Sequence, residues 1–324
     1  MIRESQKKWD IARLELFATV AELGSLSKVA ATHGAKQSVI SRQIASLERD
    51  CGGRLFARTG RGMVLTELGL RLLPIVHGLL AEARHLSEEV DIAGGAITGM
   101  VRLGALPSLH LRLIFPLFQA VHATLPAVRL RIFEGSGGQI DDWITDGVID
   151  IGMTYRYHDD LPDDAEPLLK ADSHLIGPKG DRLTASPTVD FSKLNGLPIV
   201  LSGAPSVIRM TLDQMAKRMG FRLNIILEAD SIQIQKDVAM SHYGYTILPR
   251  HAALAEIETG TLQASRIVNP DIAATLLLRT TSAHPTSQAS RRVAVLLREL
   301  AQRHLGAPSN LIAHSGTEEP TKSS

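Results

Sequence analysis

Cys51 is the single cysteine among 324 residues, which excludes an intramolecular disulfide and any multi-cysteine zinc site. Charge of one sign is also lacking. The formal net charge is +1, so the molecule as a whole is no polycation. No stretch approaches the ~18 uninterrupted apolar residues of a membrane span. No apolar run follows a basic start, so no signal peptide is expected and the chain is placed in the cytoplasm. The catalytic signatures are missing too: there is no G-x-S-x-G elbow, H-E-x-x-H, P-loop or G-x-G-x-x-G. His122, His158 and His174 show no metal-ligand spacing, and the acid pairs Asp141-Asp142 and Asp159-Asp160 read as solvated surface. No cofactor or metal is therefore expected.

What the chain does have is concentrated near its start. From Gly24 to Thr66 the basic residues Lys28, Lys36, Arg42, Arg49, Arg54, Arg58 and Arg61 face only the acids Glu48 and Asp50, a local charge of +5 on a near-neutral chain. That distribution fits a nucleic-acid-binding module joined to something else. Within it, Leu26, Val29 and Ala30 share one helical face. After a break at His33-Gly34-Ala35, Ile40, Ile44 and Leu47 share another. The opposite face of the second segment shows Gln37, Ser38, Ser41, Arg42 and Ser46. Gln and Arg can each make two bonds to a base edge in the major groove. Two helices joined by a short turn, the second polar outward, describe a helix-turn-helix. Asp10 is placed to cap a preceding helix that buries Ile11, Leu14, Phe17, Ala18 and Ala21. Cys51, four positions after Leu47, is expected to pack as a small hydrophobe.

Leu55-Phe56-Ala57-Arg58 and Met63-Val64-Leu65 flank a turn at Thr59-Gly60-Arg61-Gly62, the pattern of a β-hairpin with Arg61 at its tip and aimed at a minor groove. A long helix is then expected over 66–93. Leu68, Leu72, Ile75, Leu79, Ala83, Leu86 and Val90 make a near-heptad stripe that a lone helix cannot hide, so a partner helix from another subunit is expected. Pro74 removes one of its hydrogen bonds. Ala93-Gly94-Gly95-Ala96 reads as a hinge.

From Met100 onward strands and helices alternate, which favours a mostly parallel sheet. The strands are expected at 101–106, 128–133 and 149–153, then 197–201, 223–228 and 245–248, with a late return through 274–278. The helices are expected at 111–121, 139–145, 210–218, 232–240 and 290–304. Two α/β lobes with a late return make a hinged binding domain. The organisation expected is a flexible start 1–9, a winged helix-turn-helix 10–65, a linker helix and hinge 66–98, an effector domain 99–305, and a disordered tail 306–324 poor in apolar residues. Within the effector domain, lobe I takes about 99–167 and 271–305, and lobe II about 168–270.

The sequence resembles the LysR-type transcriptional regulators. The residues that carry the likeness are Leu14, Phe17, Gly24-Ser25, Ala30, Gln37, Ser41-Arg42-Gln43-Ile44, Leu47-Glu48, Gly52, Leu55-Phe56, Arg58, Arg61, Leu65-Thr66 and Gly69. His33, Ser38 and Cys51 depart from the family's usual Leu, Pro and Leu. The resemblance implies an α/β chain with an α-dominated winged helix-turn-helix at its start. It also implies a two-lobed effector domain like a type II periplasmic binding protein, and tetramers built from dimers.

In open α/β sheets, ligands sit beyond the carboxyl ends of strands. Three expected strand ends are alike: Leu106 before Pro107-Ser108, Phe133-Glu134 before Gly135-Ser136-Gly137-Gly138, and Leu201 before Ser202-Gly203-Ala204. Each offers a hydroxyl and, where a helix starts, free N–H groups that favour an anion. A small anionic effector is therefore expected on Pro107, Ser108, Ser136, Gly137 and Ser202, with Thr246 as a further contact. A serine taken singly reads equally well as a plain helix cap. The function expected is a sequence-specific regulator that binds a promoter with an interrupted dyad as a dimer or tetramer and acts on RNA polymerase. Gln37, Ser38, Ser41 and Arg42 would meet base edges or phosphates. Lys36 and Arg54 would contact phosphates, and Arg61 would enter the minor groove. The alternatives are a hydrolase-like enzyme or a plain small-molecule-binding protein using the same cleft.

Overall fold

The computed structural model describes residues 9–60, 62–92, 97–157 and 161–305, with no side-chain description at 84, 85 and 87–92. The expected hairpin tip at Arg61, the hinge at 93–96, the pair Asp159-Asp160 and the tail beyond 305 lie outside the described residues.

The amino-terminal module is built from α1 (Ile11–Leu23), α2 (Leu26–Thr32) and α3 (Gln37–Cys51), followed by a hairpin of β1 (Phe56–Thr59) and β2 (Gly62–Leu65). Asp10 caps α1 by accepting from the Ala12 amide, and Gly24 closes it at φ 60°, a left-handed conformation that glycine adopts without a Cβ clash. Ser25 caps α2. The apolar faces read from spacing are all buried: Leu26, Val29 and Ala30 on α2, and Ile40, Ile44 and Leu47 on α3. On α1 the pattern differs from expectation. Leu14 and Phe17 are buried, but so are Leu16 and Val20, while Ile11 is exposed. The reason is tertiary: α1 is covered on one side by α2 and α3 and on another by α4 (Glu67–Ile92), so two of its faces lose water.

Helix α4 divides its apolar residues. Leu68, Leu72, Leu73, Val76 and Leu80 pack onto the module's own core. Ile75, Leu79 and Leu86 stay exposed, Ile75 and Leu86 by about two thirds of their surface (65% and 68%). The expected stripe is thus half satisfied within the chain and half open; the side chain of Val90 lies outside the description.

The remainder is two α/β lobes that share one strand. Lobe I contains β3 (Gly99–Ala105), α5 (Phe115–Thr124), β4 (Val128–Glu134), α6 (Gly137–Thr145), β5 (Ile151–Arg156), the first half of β6 (Ala165–Pro178), and, after the return, β12 (Ala273–Thr280) and α10 (Gln288–His304). Its sheet runs β4-β3-β5-β12-β6; β4, β3 and β5 are parallel, and β12 is antiparallel to both of its neighbours. Lobe II contains the rest of β6, β7 (Thr188–Asp190), β8 (Pro198–Leu201), α7 (Val207–Arg218), β9 (Asn224–Glu228), α8 (Ile232–Met240), β10 (Tyr245–Pro249), α9 (Leu254–Glu258) and β11 (Leu262–Val268). There β9, β8 and β10 are parallel, while β10 and β11 run antiparallel to β6. Strand β6 changes partners at Asp172-Ser173, from β12 on one side to β10 and β11 on the other. Each lobe buries its own core, around Leu103, Leu117, Ile151 and Leu297 in the first, and Phe191, Ile199, Leu212 and Ile247 in the second.

Candidate DNA-reading face and effector cleft

On α3 the polar side faces solvent. Lys36, Gln37, Ser38, Ser41 and Arg42 are all exposed, while Ile40, Ile44 and Leu47 on the reverse are at most 4% exposed. The Gln37 side-chain carbonyl accepts from the Ser27 hydroxyl at 3.0 Å, which fixes its orientation against α2 and leaves its amide hydrogens outward. Ser46 departs from the expected outward face. Its hydroxyl accepts from Arg13 at 3.2 Å, and the same guanidinium reaches Asp50 at 2.9 Å, so this end of α3 is turned to α1.

The hairpin is held to the helices by groups that periodicity does not reveal. The Glu48 carboxylate accepts from the amides of Leu55 and Phe56 at 2.9 and 3.2 Å, and the Met63 amide donates to the Gly24 carbonyl at 2.9 Å. Arg54 and Arg58 are exposed at its base and on β1. The wing therefore stands at a fixed angle to α3.

The three serine loops turn out to be unlike one another. Ser136 caps α6 in a full capping box: its hydroxyl accepts from the Gln139 amide at 3.4 Å, and its own amide donates to the Gln139 side chain at 2.9 Å. Ser136 is exposed and Gly137 half-buried at the positive end of that helix. Pro107 and Ser108 lie half-buried in a single 3-10 turn that leads into an irregular π-type turn over His110–Ile114, so no regular helix begins there. Ser202 is not a cap either, since α7 starts at Val207. Its hydroxyl instead accepts from the Gln235 side-chain amide at 3.3 Å. Thr246 corrects expectation further. It is fully buried, and its hydroxyl donates to the Gln235 carbonyl oxygen at 2.8 Å, so it stands behind Gln235. Gln235 completes the set by donating to the Ala229 carbonyl at 2.7 Å. The sequence signal was available: a glutamine on the buried face of α8 between Ile232 and Ala239.

Among the described residues, several side-chain contacts bridge the lobes. The Tyr155 hydroxyl and His251 Nε2 are 3.0 Å apart, and Arg112 donates to Glu258 at 3.0 Å. Burial drives the His251 imidazole down to about 4, helped by the charges of His174 and Arg112, and pushes the Tyr155 phenol well above its ordinary value. His174 is lowered by burial as well. Asp141, expected as solvated surface, is a hub: it accepts from Arg156 at 2.5 Å and from Arg279 at 2.9 Å, and Arg279 also holds Asp164 at 2.8 Å. Both arginines are thus paired with carboxylates, and the amino terminus of α6 sets its positive dipole end at Ser136.

A small helical module with an exposed polar helix and a wing, joined by a long helix to two α/β lobes that share a strand, defines a DNA-binding regulator with a ligand-binding domain. The chain belongs to the LysR family. "Bacterial regulatory helix-turn-helix protein, lysR family" matches residues 11–70, and "LysR substrate binding domain" matches residues 94–302. Among curated relatives, the nitrogen assimilation regulatory protein nac of Klebsiella aerogenes is 27% identical over 91% of this chain and 96% of its own length. The transcriptional regulator BbuR of Bordetella bronchiseptica is 27% identical over 84% of this chain and 83% of its own. In fold, the chain is similar to full-length OxyR from Pseudomonas aeruginosa, with a TM-score of 0.69 over 97% of this chain and 99% of that one at 18% identity. It is similar also to full-length CbnR complexed with its target DNA, with a TM-score of 0.61 over 91% and 100% at 18% identity. The chain is a transcriptional regulator and not an enzyme. Among the described residues no helix is long and apolar enough to cross a membrane.

Proposed function

We propose that this regulator reads its operator with the first half of α3. Gln37, Ser38, Ser41 and Arg42 meet base edges or adjoining phosphates, and Lys36 and Arg54 hold the flanking phosphates. The observation that carries this is the exposure of those side chains on one side of α3 while Ile40, Ile44 and Leu47 anchor the other. The open stripe of Ile75, Leu79 and Leu86 on α4 supports pairing with a second copy, so that two heads meet an interrupted dyad. Assembly goes on to a tetramer, and the bound assembly acts on RNA polymerase in the cytoplasm. Gel-shift titration of the full chain against duplexes selected from a random pool tests the reading; absence of any preferred sequence would refute it.

The effector is a small anion taken between the lobes at Pro107, Ser108, Ser136, Gly137 and Ser202. The free amides at the start of α6 and the serine hydroxyls supply its bonds, with Gln235 and Thr246 holding Ser202 in place. A thermal-shift screen of carboxylates and inorganic anions against the full chain tests this, with a rise in melting temperature that is lost in Ser136→Ala as the supporting result. No shift with any anion would sink it.

A further inference from the structure

One segment of lobe I carries the proposed anion position and also touches the DNA-binding module. Arg131 on β4 donates to Glu22 on α1 at 2.5 Å. Its guanidinium also lies over the Phe133 ring, 4.7 Å from the centroid, and Phe133 packs at 5.8 Å against Trp143 of α6. Between those two aromatics the chain turns through Gly135 and Ser136, the proposed anion position. At the other end of α6, the Asp146 carbonyl accepts from His77 Nδ1 of α4 at 3.2 Å. Beside it, Gly147 and Gly78 both approach Ala283, so α4 rests on the loop that follows β12.

Helix α6 has no slack beneath it. A Cβ at Gly104 would sit 3.3 Å from Ile140 of α6, and one at Gly152 would sit 2.7 Å from Ile144. The helix is pressed onto bare backbone, and Thr281 donates to the Ile144 carbonyl at 2.7 Å. Nine residues at 1.5 Å each make a rod of ~13 Å. A helix this short and this tightly seated offers little room to bend, so its two ends are mechanically linked.

We infer that residues 131–146 are a transmission segment: α6 and the end of β4 convert occupancy at Ser136-Gly137 into a change in two of the contacts, Glu22–Arg131 and His77–Asp146, by which the DNA-binding module and its linker helix α4 rest on lobe I. The inference rests on the cleft reading above and adds its route to the DNA heads. The grips suit the task. Glu22 and Arg131 are both substantially solvent-accessible, so their ion pair is weak and easily exchanged for water. Coupling is reciprocal by linkage, so DNA at one end must be felt by α6 at the other.

Trp143 makes this measurable, because Trp9 is the only other tryptophan. In full-length Trp9→Phe protein, saturation with a duplex selected from a random pool is expected to shift Trp143 emission. The shift is expected to vanish in Trp9→Phe/Glu22→Ala/His77→Ala protein that still binds the duplex. A cycle closes the test without any effector. Removing the cap with Ser136→Ala/Gln139→Ala is expected to change duplex Kd by about fivefold in the parent. In the Glu22→Ala/His77→Ala background the change is expected to be less than about twofold. Equal changes in both backgrounds, or an emission insensitive to DNA, would overturn the inference. Because the cycle uses no anion, it can succeed where the thermal-shift screen fails, and the reverse.

Discussion

Tyr155 of lobe I and His251 of lobe II meet between the lobes, with hydroxyl and Nε2 3.0 Å apart in a site where burial holds the imidazole near pKa 4. Burial opposes a charge on that ring, so the pair is seated for a neutral imidazole. Protonating it in acid sets a buried charge between the lobes and costs stability.

The sign of the pH effect follows from the depressed value. Between the ordinary 6.5 and about 4, the unfolded chain takes up a proton that the folded chain refuses. Stability is flat above that window and falls as the pH drops through it, by about 2 kcal/mol at pH 5 from this group. His174, lowered in the same direction, adds to the trend. Denaturant unfolding at pH 7 and pH 5 is expected to show the loss in the parent and a smaller one in His251→Gln, which keeps a neutral group facing Tyr155. An equal loss in both would refute the assignment.

Glu48 binds the wing to the reading helix through two backbone amides. Glu48→Ala leaves both unpaired and is expected to cost about 2 kcal/mol in urea unfolding. Because the wing loses its fixed angle, DNA affinity should drop by more than stability alone explains. A variant with unchanged unfolding midpoint would show that the carboxylate does not hold the wing.

Neighbouring residues of α4 are expected to behave oppositely. Leu79→Glu, on the open stripe, should shift sedimentation towards the monomer with little change in monomer stability. Leu80→Ala, in the module's core at 6% exposure, should destabilise by about 3 kcal/mol. If Leu79→Glu left the assembly intact, α4 would not be the pairing surface.

Gln235 gathers Ser202, Thr246 and the Ala229 carbonyl while itself 2% exposed. Gln235→Leu strands these groups and is expected to cost about 3 kcal/mol. Thr246→Val should destabilise the fold yet leave anion affinity within about twofold once stability is matched. A large loss of anion affinity in Thr246→Val would restore Thr246 to the direct ligand contacts.

The helix-turn-helix was legible because its signal is local: one apolar face per helix, a three-residue break, and polar groups of the right shape between. The fate of Leu16, Val20 and Ser46 was not, because α4 and Arg13 arrive from outside the windows in which periodicity is read. The alternation of strands and helices was legible in both lobes. Strand β6 was not, since its pattern changes where it passes from one sheet to the next at Asp172-Ser173. The serine loops show the limit most clearly. Spacing brought Ser108, Ser136 and Ser202 forward as equals, yet only Ser136 caps a helix, because capping depends on where the following residues begin to coil. Asp141 was misread for a related reason: its partners Arg156 and Arg279 come from β5 and β12, and the latter lies far along the chain.

The reading face of α3 remains the central claim, and base preference tests it most directly. Sequence selection from a random duplex pool, run in parallel on the parent and on Arg42→Ala, should return one motif with a position that becomes degenerate in the variant, with specific affinity weakened by ~1–3 kcal/mol. An identical motif bound with identical affinity by both proteins would contradict it.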